Sequence, residues 1–247
     1  MQKLLIMDYD NTLANHKSSP SPAIFDLLVK LLENNKIAIL TAGRSIQKLK
    51  ELIILNTKLD ESPMLRNLYL CPEYGNTIFK WEDGWFVVYK SPDITERALR
   101  GIERTLRRTN WKKYVNKKVP KQKIHDKGSV ISINCLGNNA TDEEKENWDK
   151  SGENRKGIKE ELERKLGKKY NIFITGRNTI DIVPKGTNKA DNLLRLLDIT
   201  KTKIENSIYI GDEFNPDGND YPILSLDMKI YQIKNPNETE SVLRSYL

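Results

Sequence analysis

From Lys3 to Met7 a short apolar run stops abruptly at acidic residues, the pattern of a buried parallel strand that carries polar groups at its carboxyl end. Ser21-Pro22 then reads as a helix N-cap followed by proline at the first helical position. Ile24, Leu27, Leu28, Leu31 and Leu32 recur at helical spacing, which predicts a helix with one face packed on a sheet. Asn34-Asn35 closes that helix, and Ile37 to Leu40 forms a second buried strand ending at Thr41. Strand, helix and strand make a βαβ unit whose crossover is expected to be right-handed.

The rhythm changes after residue 66. Leu68-Tyr69-Leu70, Thr77-Ile78-Phe79 and Trp85-Phe86-Val87-Val88 read as short strands punctuated by Gly75 and an Asp83-Gly84 turn. A basic helix is expected over Ile94 to Arg108, a strand over Val130 to Ile133, and helix from Asp142 to Leu166 with a break near Ser151-Gly152. Ile172 to Ile174 and Thr179 to Val183 complete an α+β middle portion. Beyond Pro184 the α/β alternation returns, with a helix carrying Ala190, Leu193, Leu194 and Leu197, a strand Ser207 to Ile210, a last strand near Ile230 and a short closing helix. The expected architecture is α/β: a doubly wound, Rossmann-like parallel-sheet core formed by residues 1–81 and 185–247, with an inserted α+β domain over residues 82–184.

Composition narrows the chemistry. The 247 residues are 38% hydrophobic, enough for a substantial core. No apolar run reaches the roughly 18 to 20 residues of a membrane helix, and the first strand meets Asp8 too early for a signal peptide, so the expectation is a cytoplasmic protein without a membrane partner. Cys71 and Cys135 each sit near the end of an apolar run and read as buried thiols. With His16 and His125 the only histidines, carboxylates must carry the reaction. The net charge of +7 is local: Arg97 to Lys127 holds twelve Lys or Arg against Glu103 and Asp126. Such a stretch attracts phosphate esters, nucleic acid or acidic proteins, unless it is only a solvated face.

Asp8 and Asp10 lie two apart immediately after the first strand, where both can reach the crevice at the sheet's carboxyl edge. Two carboxylates so close are costly without a cation, and Mg²⁺ answers that cost with hard oxygen ligation. A carboxylate so placed can attack phosphorus while its neighbour handles the leaving-group and water protons. Thr41 can donate to a phosphate oxygen, with Ala42-Gly43 offering backbone N–H groups. Lys189, opening a helix after Pro184-Lys185-Gly186, can neutralise phosphoryl charge, and Asp212, following Ile208-Tyr209-Ile210, adds a carboxylate for the metal.

In this order, Asp8-Tyr9-Asp10-Asn11-Thr12-Leu13, Thr41, Lys189 and Gly211-Asp212 with Asn219-Asp220, the chain resembles the haloacid dehalogenase superfamily, in the subclass with a large α/β cap between its second and third motifs. The resemblance implies Asp8 as nucleophile, Asp10 as general acid and base, and a metal held by Asp8, the Asp10 carbonyl and Asp212. Asn219 and Asp220 would orient Lys189 or the metal's waters. Glu73-Tyr74-Gly75-Asn76, Thr141-Asp142-Glu143-Glu144-Lys145, Asp181-Ile182-Val183-Pro184 and the long motif from Gly211 to Tyr221 further resemble the eukaryotic-type phosphomannomutase family. There the cap grips a second phosphate with arginines, where this chain has Lys127, Asn138 and Lys145. Thr41-Ala42-Gly43-Arg44 is also one residue longer than the common Thr-Gly-Arg motif. The leading expectation is therefore a Mg²⁺-dependent phosphatase acting on a small phosphorylated metabolite, a sugar phosphate first among them. A hexose-phosphate mutase and a nucleic-acid-binding or end-processing phosphatase are the alternatives.

Overall fold

The computed structural model describes residues 2–16, 18–54, 62–115, 123–137 and 139–247. Asn138 lies outside them. The chain is mixed α/β and divides into two compact units. The larger comprises residues 1–90, 189–215 and 220–247, and the smaller residues 91–188 and 216–219.

The larger unit is built on a seven-stranded sheet. Its strands in chain order are β1 (Leu4–Met7), β2 (Lys36–Leu40), β3 (Leu68–Cys71), β4 (Thr77–Trp81), β5 (Trp85–Lys90), β10 (Ser207–Gly211) and β11 (Lys229–Gln232), arranged β11-β10-β1-β2-β3-β4-β5. β11, β10, β1, β2 and β3 run parallel, while β4 and β5 are antiparallel additions. β5 had been expected to open the inserted portion at residue 82. It pairs with β4 from Thr77↔Lys90 to Trp81↔Trp85, so the large sheet extends to Lys90 and the smaller unit starts at Ser91.

Helix α1 (Pro22–Leu32) is capped by the Ser21 hydroxyl, which accepts from the Ile24 N–H at 3.2 Å, with Pro22 in the first turn. Its apolar face packs on one side of the sheet with α2 (Ile46–Leu49) and α7 (Pro236–Arg244), and α6 (Lys189–Thr200) packs on the other. On α6 the buried positions are Ala190, Leu193, Leu196 and Leu197; Leu194, expected on this face, is 45% exposed. Successive strands from the N-terminus run outward from β1 in one direction, whereas β10 and β11 occupy its other side. The order reverses at β1, and the crevice beyond the carboxyl ends of β1 and its neighbours is where such sheets hold ligands.

The smaller unit has a four-stranded antiparallel sheet, β6-β7-β9-β8, formed by β6 (Lys123–Asp126), β7 (Ile131–Asn134), β8 (Tyr170–Thr175) and β9 (Thr179–Pro184). β6 was not foreseen, because it sits inside the basic run. Ile131, Ile133, Ile172, Ile180 and Ile182 alternate onto one sheet face, where Ile102 and Leu106 of α3 (Glu96–Arg107) and Ile158 and Leu162 of α5 (Glu153–Leu166) cover them. The short α4 (Asp142–Trp148) carries a full capping box between Thr141 and Glu144. Residues 216–219 group with this unit: Asp217 ion-pairs Lys159 at 2.6 Å and its carbonyl accepts from the Ile174 N–H at 3.1 Å. Cys71 and Cys135 are both buried, and burial pushes the Cys135 thiol up to about 12. Among the described residues no helix is long and apolar enough to cross a membrane.

Candidate active site

Strand register brings the reactive groups together. Met7 lies beside Ile39 of β2 and Ile210 of β10, and the Asp8 N–H continues the ladder to the Ile210 carbonyl at 2.9 Å. Asp8, Thr41 and Asp212 therefore leave the same edge of the sheet. Lys189, the first residue of α6, is buried with its Nζ 2.7 Å from Asp8 Oδ1 and 2.6 Å from Asp220 Oδ1. Burial opposes the ammonium charge, but Asp220 and Asp8 more than compensate and hold Lys189 protonated, its pKa raised.

Asp220 is the anchor of this arrangement. Its Oδ1 also accepts from the Tyr209 hydroxyl at 2.5 Å, and its Oδ2 accepts from the Asp212 and Glu213 N–H groups at 3.2 and 3.1 Å. With both oxygens engaged, Asp220 positions Lys189 and the turn carrying Asp212. Asp212 is further held by the Thr12 hydroxyl and the Asn11 amide, each at 3.3 Å. Thr12 is in turn pinned through its carbonyl by the Thr239 hydroxyl of α7 at 2.7 Å.

Asp8, Asp212 and Asp220 can each offer an oxygen within 4.8 Å of the others. Burial first, and then the charges of its neighbours, push the Asp212 carboxyl up to about 7, and Asp8 is also raised by burial and by Asp220 and Asp212 despite Lys189. Such crowding of carboxylates is what a divalent cation relieves. Because Asp220 is committed, Asp8 and Asp212 are the side chains that fit one, and their hard oxygen donors suit Mg²⁺.

Asp10 points elsewhere. Its carboxylate receives a two-pronged bond from Arg44, Nε to Oδ2 at 3.1 Å and Nη2 to Oδ1 at 2.5 Å, and His16 Nδ1 lies 3.4 Å from Oδ1. Burial acts to raise this carboxyl, yet the His16 and Arg44 hydrogen bonds and the guanidinium charge outweigh it and hold the pKa below the usual range. Arg44 also lies over the Tyr9 ring, 4.8 Å from its centroid. A side-chain metal bond from Asp10 is thus absent from this arrangement; the carbonyl implied by the resemblance is the atom left to it.

Thr41 is 1% exposed and is fixed through its backbone, N–H to Cys71 and carbonyl to Tyr74, while its hydroxyl has no hydrogen-bond partner among the described residues. Ala42, beside it, is buried. Asn219 is also buried, with its Oδ1 unpartnered among the described residues. In the smaller unit Lys145 is ion-paired to Asp142 at 3.2 Å, and Lys127, half-buried, sits in the turn between β6 and β7 with its N–H bonded to Val130. Sequence reading missed Arg44 and His16 as partners of Asp10, and Tyr209 as a partner of Asp220. Arg44 stood in a motif already singled out; Tyr209 was hidden in an apolar strand.

A family model for haloacid dehalogenase-like hydrolases matches residues 5–235, and the chain belongs to this family. No curated protein matches the sequence. Among solved structures, an IMP-bound, N-terminally truncated IMP-nucleotidase of Plasmodium falciparum is similar with a TM-score of 0.71 and 21% identity, covering 99% of this chain and 68% of that one. A haloacid dehalogenase-like hydrolase of Bacteroides thetaiotaomicron gives 0.64 and 17%, covering all of both chains. A trehalose-6-phosphate phosphatase of Aspergillus fumigatus gives 0.58 and 15%, covering 99% of this chain and 92% of that one. At these identities the likeness is one of fold. The chain spans between 60% and 71% of the nucleotidase chains.

Proposed function

We propose that this hydrolase is a phosphatase that cleaves a small phosphomonoester, on a sugar or a nucleotide, through a phosphorylated Asp8. The observation that carries the reading is Lys189 Nζ, buried between Asp8 and Asp220 at 2.7 and 2.6 Å, with Asp212 in the same carboxylate cluster. An Asp8 oxygen attacks phosphorus and the P–O bond to the leaving group breaks. Arg44 and His16 hold Asp10 ionised in the resting site, so its turn as acid requires bound substrate to loosen that pairing and let it take up a proton. It then gives that proton to the departing oxygen and takes one from the water that cleaves the acyl phosphate and regenerates Asp8. Lys189 counters charge on Asp8 and the phosphoryl oxygens, and the open Thr41 hydroxyl donates to one of them. Asp8 and Asp212 would hold Mg²⁺, which would supply positive charge to offset that of the phosphoryl group.

Two features favour water as final acceptor. The neighbours include proteins named for hydrolysis of IMP and of trehalose 6-phosphate. A mutase needs a grip on a second phosphate, and Lys145, one of the residues aligned with the phosphate-binding arginines, is already paired to Asp142. In this reading the larger unit does the chemistry and the smaller one acts as a cap that selects the leaving group.

A phosphate-release screen over sugar phosphates and nucleotides, IMP and trehalose 6-phosphate included, should find Mg²⁺-dependent turnover. Asp8→Asn should remove it by at least about 10³-fold with an unchanged circular dichroism spectrum. Hydrolysis retained in that variant would eliminate Asp8 as nucleophile.

A further inference from the structure

We propose that the exposed face of α3 in the smaller unit is a docking surface for the phosphodiester backbone of a nucleic-acid duplex. The inference stands apart from the phosphatase reading, since α3 contributes nothing to the carboxylate site. Arg97, Arg100, Arg104, Arg107 and Arg108 are all exposed. At about 100° per residue they fall within an arc of about 100°, directly opposite the side occupied by Leu99, Ile102 and Leu106. Ile102 and Leu106 are buried in the unit's core, so the arginine stripe is held rigidly outward.

Residue type argues against a merely solvated face. The chain has twelve arginines and 29 lysines, yet five of the arginines fall between positions 97 and 108. Lysine supplies a hydrated point charge, whereas the planar guanidinium fork matches two phosphate oxygens at once. Neutralisation is confined to the stripe's margin, where Arg100 pairs with Glu96 at 3.2 Å and Arg107 with Glu103 at 3.4 Å. The side chains of Arg97, Arg104 and Arg108 have no ion pair or hydrogen bond among the described residues.

Neighbouring elements extend the positive charge. Lys112 and Lys113 follow the helix, exposed. From α5, which packs against α3, come exposed Arg164 and Lys165, and Lys165 Nζ donates to the Arg108 carbonyl at 3.4 Å. Of the four acids of α5, Glu161 accepts from the Tyr114 hydroxyl and Glu163 pairs with Lys159, while Glu153 and Glu160 are exposed.

The same features select among polyanions. An interfacial membrane helix must bury its apolar face in lipid, but that of α3 is spent on the unit's own core, and α3 exposes no large apolar side chain. Single strands are held by stacking on aromatic side chains, and α3 has none. Backbone contact to a duplex needs only phosphate-binding donors and carries no sequence preference.

Fluorescence anisotropy of the full chain with a labelled duplex of about 24 base pairs, as DNA and as RNA, tests this across about 50 to 200 mM salt. Binding to at least one duplex should weaken log-linearly with salt. The Arg97→Gln/Arg104→Gln/Arg108→Gln variant should bind at least about tenfold more weakly, with the salt slope reduced by about 3. Its melting temperature and its turnover of p-nitrophenyl phosphate should match the parent chain. Replacing the same three arginines by lysine keeps the charge and folds as readily, and should give an intermediate loss. Binding to neither duplex, equal binding by the glutamine variant, or tighter binding to phosphatidylserine vesicles than to either duplex would overturn the proposal.

Discussion

Arg44 is the side chain on which Asp10 depends most. A bidentate guanidinium sets both the position and the direction of a carboxylate, and His16 adds a second, more exposed partner. If Asp10 carries the proton transfers as proposed, Arg44→Met should leave substrate binding nearly intact and lower kcat by about 10- to 100-fold, because that role needs the Asp10 carboxylate correctly aimed. Arg44→Lys restores charge without the fork and should recover only part of that loss. Steady-state kinetics on the best substrate separate the two effects: a change confined to KM would mean that Arg44 binds substrate rather than positioning Asp10. The residue was visible in the Thr41-Ala42-Gly43-Arg44 motif, but its partner was not, since 34 positions separate it from Asp10. Lys189, by contrast, could be singled out from sequence because it opens a helix after a glycine turn.

The turn Glu73-Tyr74-Gly75-Asn76 links two of the elements that build the site. Glu73, Tyr74 and Gly75 all have positive φ, at 53°, 66° and 79°. The turn is clasped on both sides: the Tyr74 N–H donates to the Thr41 carbonyl at 2.8 Å, and the Asn192 amide of α6 donates to the Tyr74 carbonyl and Asn76 Oδ1, each at 2.8 Å. The strand end bearing Thr41 and the helix opening with Lys189 are thereby braced against each other. A Cβ at Gly75 would lie 2.6 Å from Leu40 Cδ1 and 3.0 Å from Asn192 Cβ. Gly75→Ala should therefore cost about 2 to 4 kcal/mol, combining left-handed strain with overpacking. A urea titration should show the lower midpoint; an unchanged midpoint would mean that the turn yields without disturbing its neighbours. The motif was legible in sequence, whereas the Asn192 clasp depends on α6 lying across the sheet from α1.

For the molecule as a whole, the carboxylate cluster is a standing electrostatic cost that links stability to pH and, if it holds Mg²⁺ as proposed, to metal. Asp212 rises from the ordinary carboxylate range to about 7, and Asp8 moves in the same direction. An acid whose folded pKa exceeds its unfolded one binds more protons when folded, so stability falls as pH rises between the two values, here from about 4 to about 7. In chelator the melting temperature should thus decline across that window. Mg²⁺ should raise it more at pH about 8 than at pH about 5, because protons compete with the metal for the same oxygens. Asp212→Asn should flatten the decline and remove most of the Mg²⁺ effect. Scanning fluorimetry over this matrix checks the point, and a metal response independent of pH would exclude Asp212 as a ligand.

The order of apolar runs and helical stripes determined the α/β fold class, the α+β middle portion and the strand ends at which Asp8, Thr41 and Asp212 emerge. Those features follow from local periodicity and from the abrupt switch between apolar and acidic residues. Tertiary structure alone decided the partnerships. Asp8, Lys189, Tyr209, Asp212 and Asp220 meet because parallel register aligns β10 with β1 and α6 closes on the sheet. Asp10 goes to Arg44 and Asp220 becomes an anchor, because each carboxylate takes the donors that packing brings within reach. β5 joins the large sheet for the same reason: a strand's period says which faces it has, not which neighbour will satisfy its hydrogen bonds.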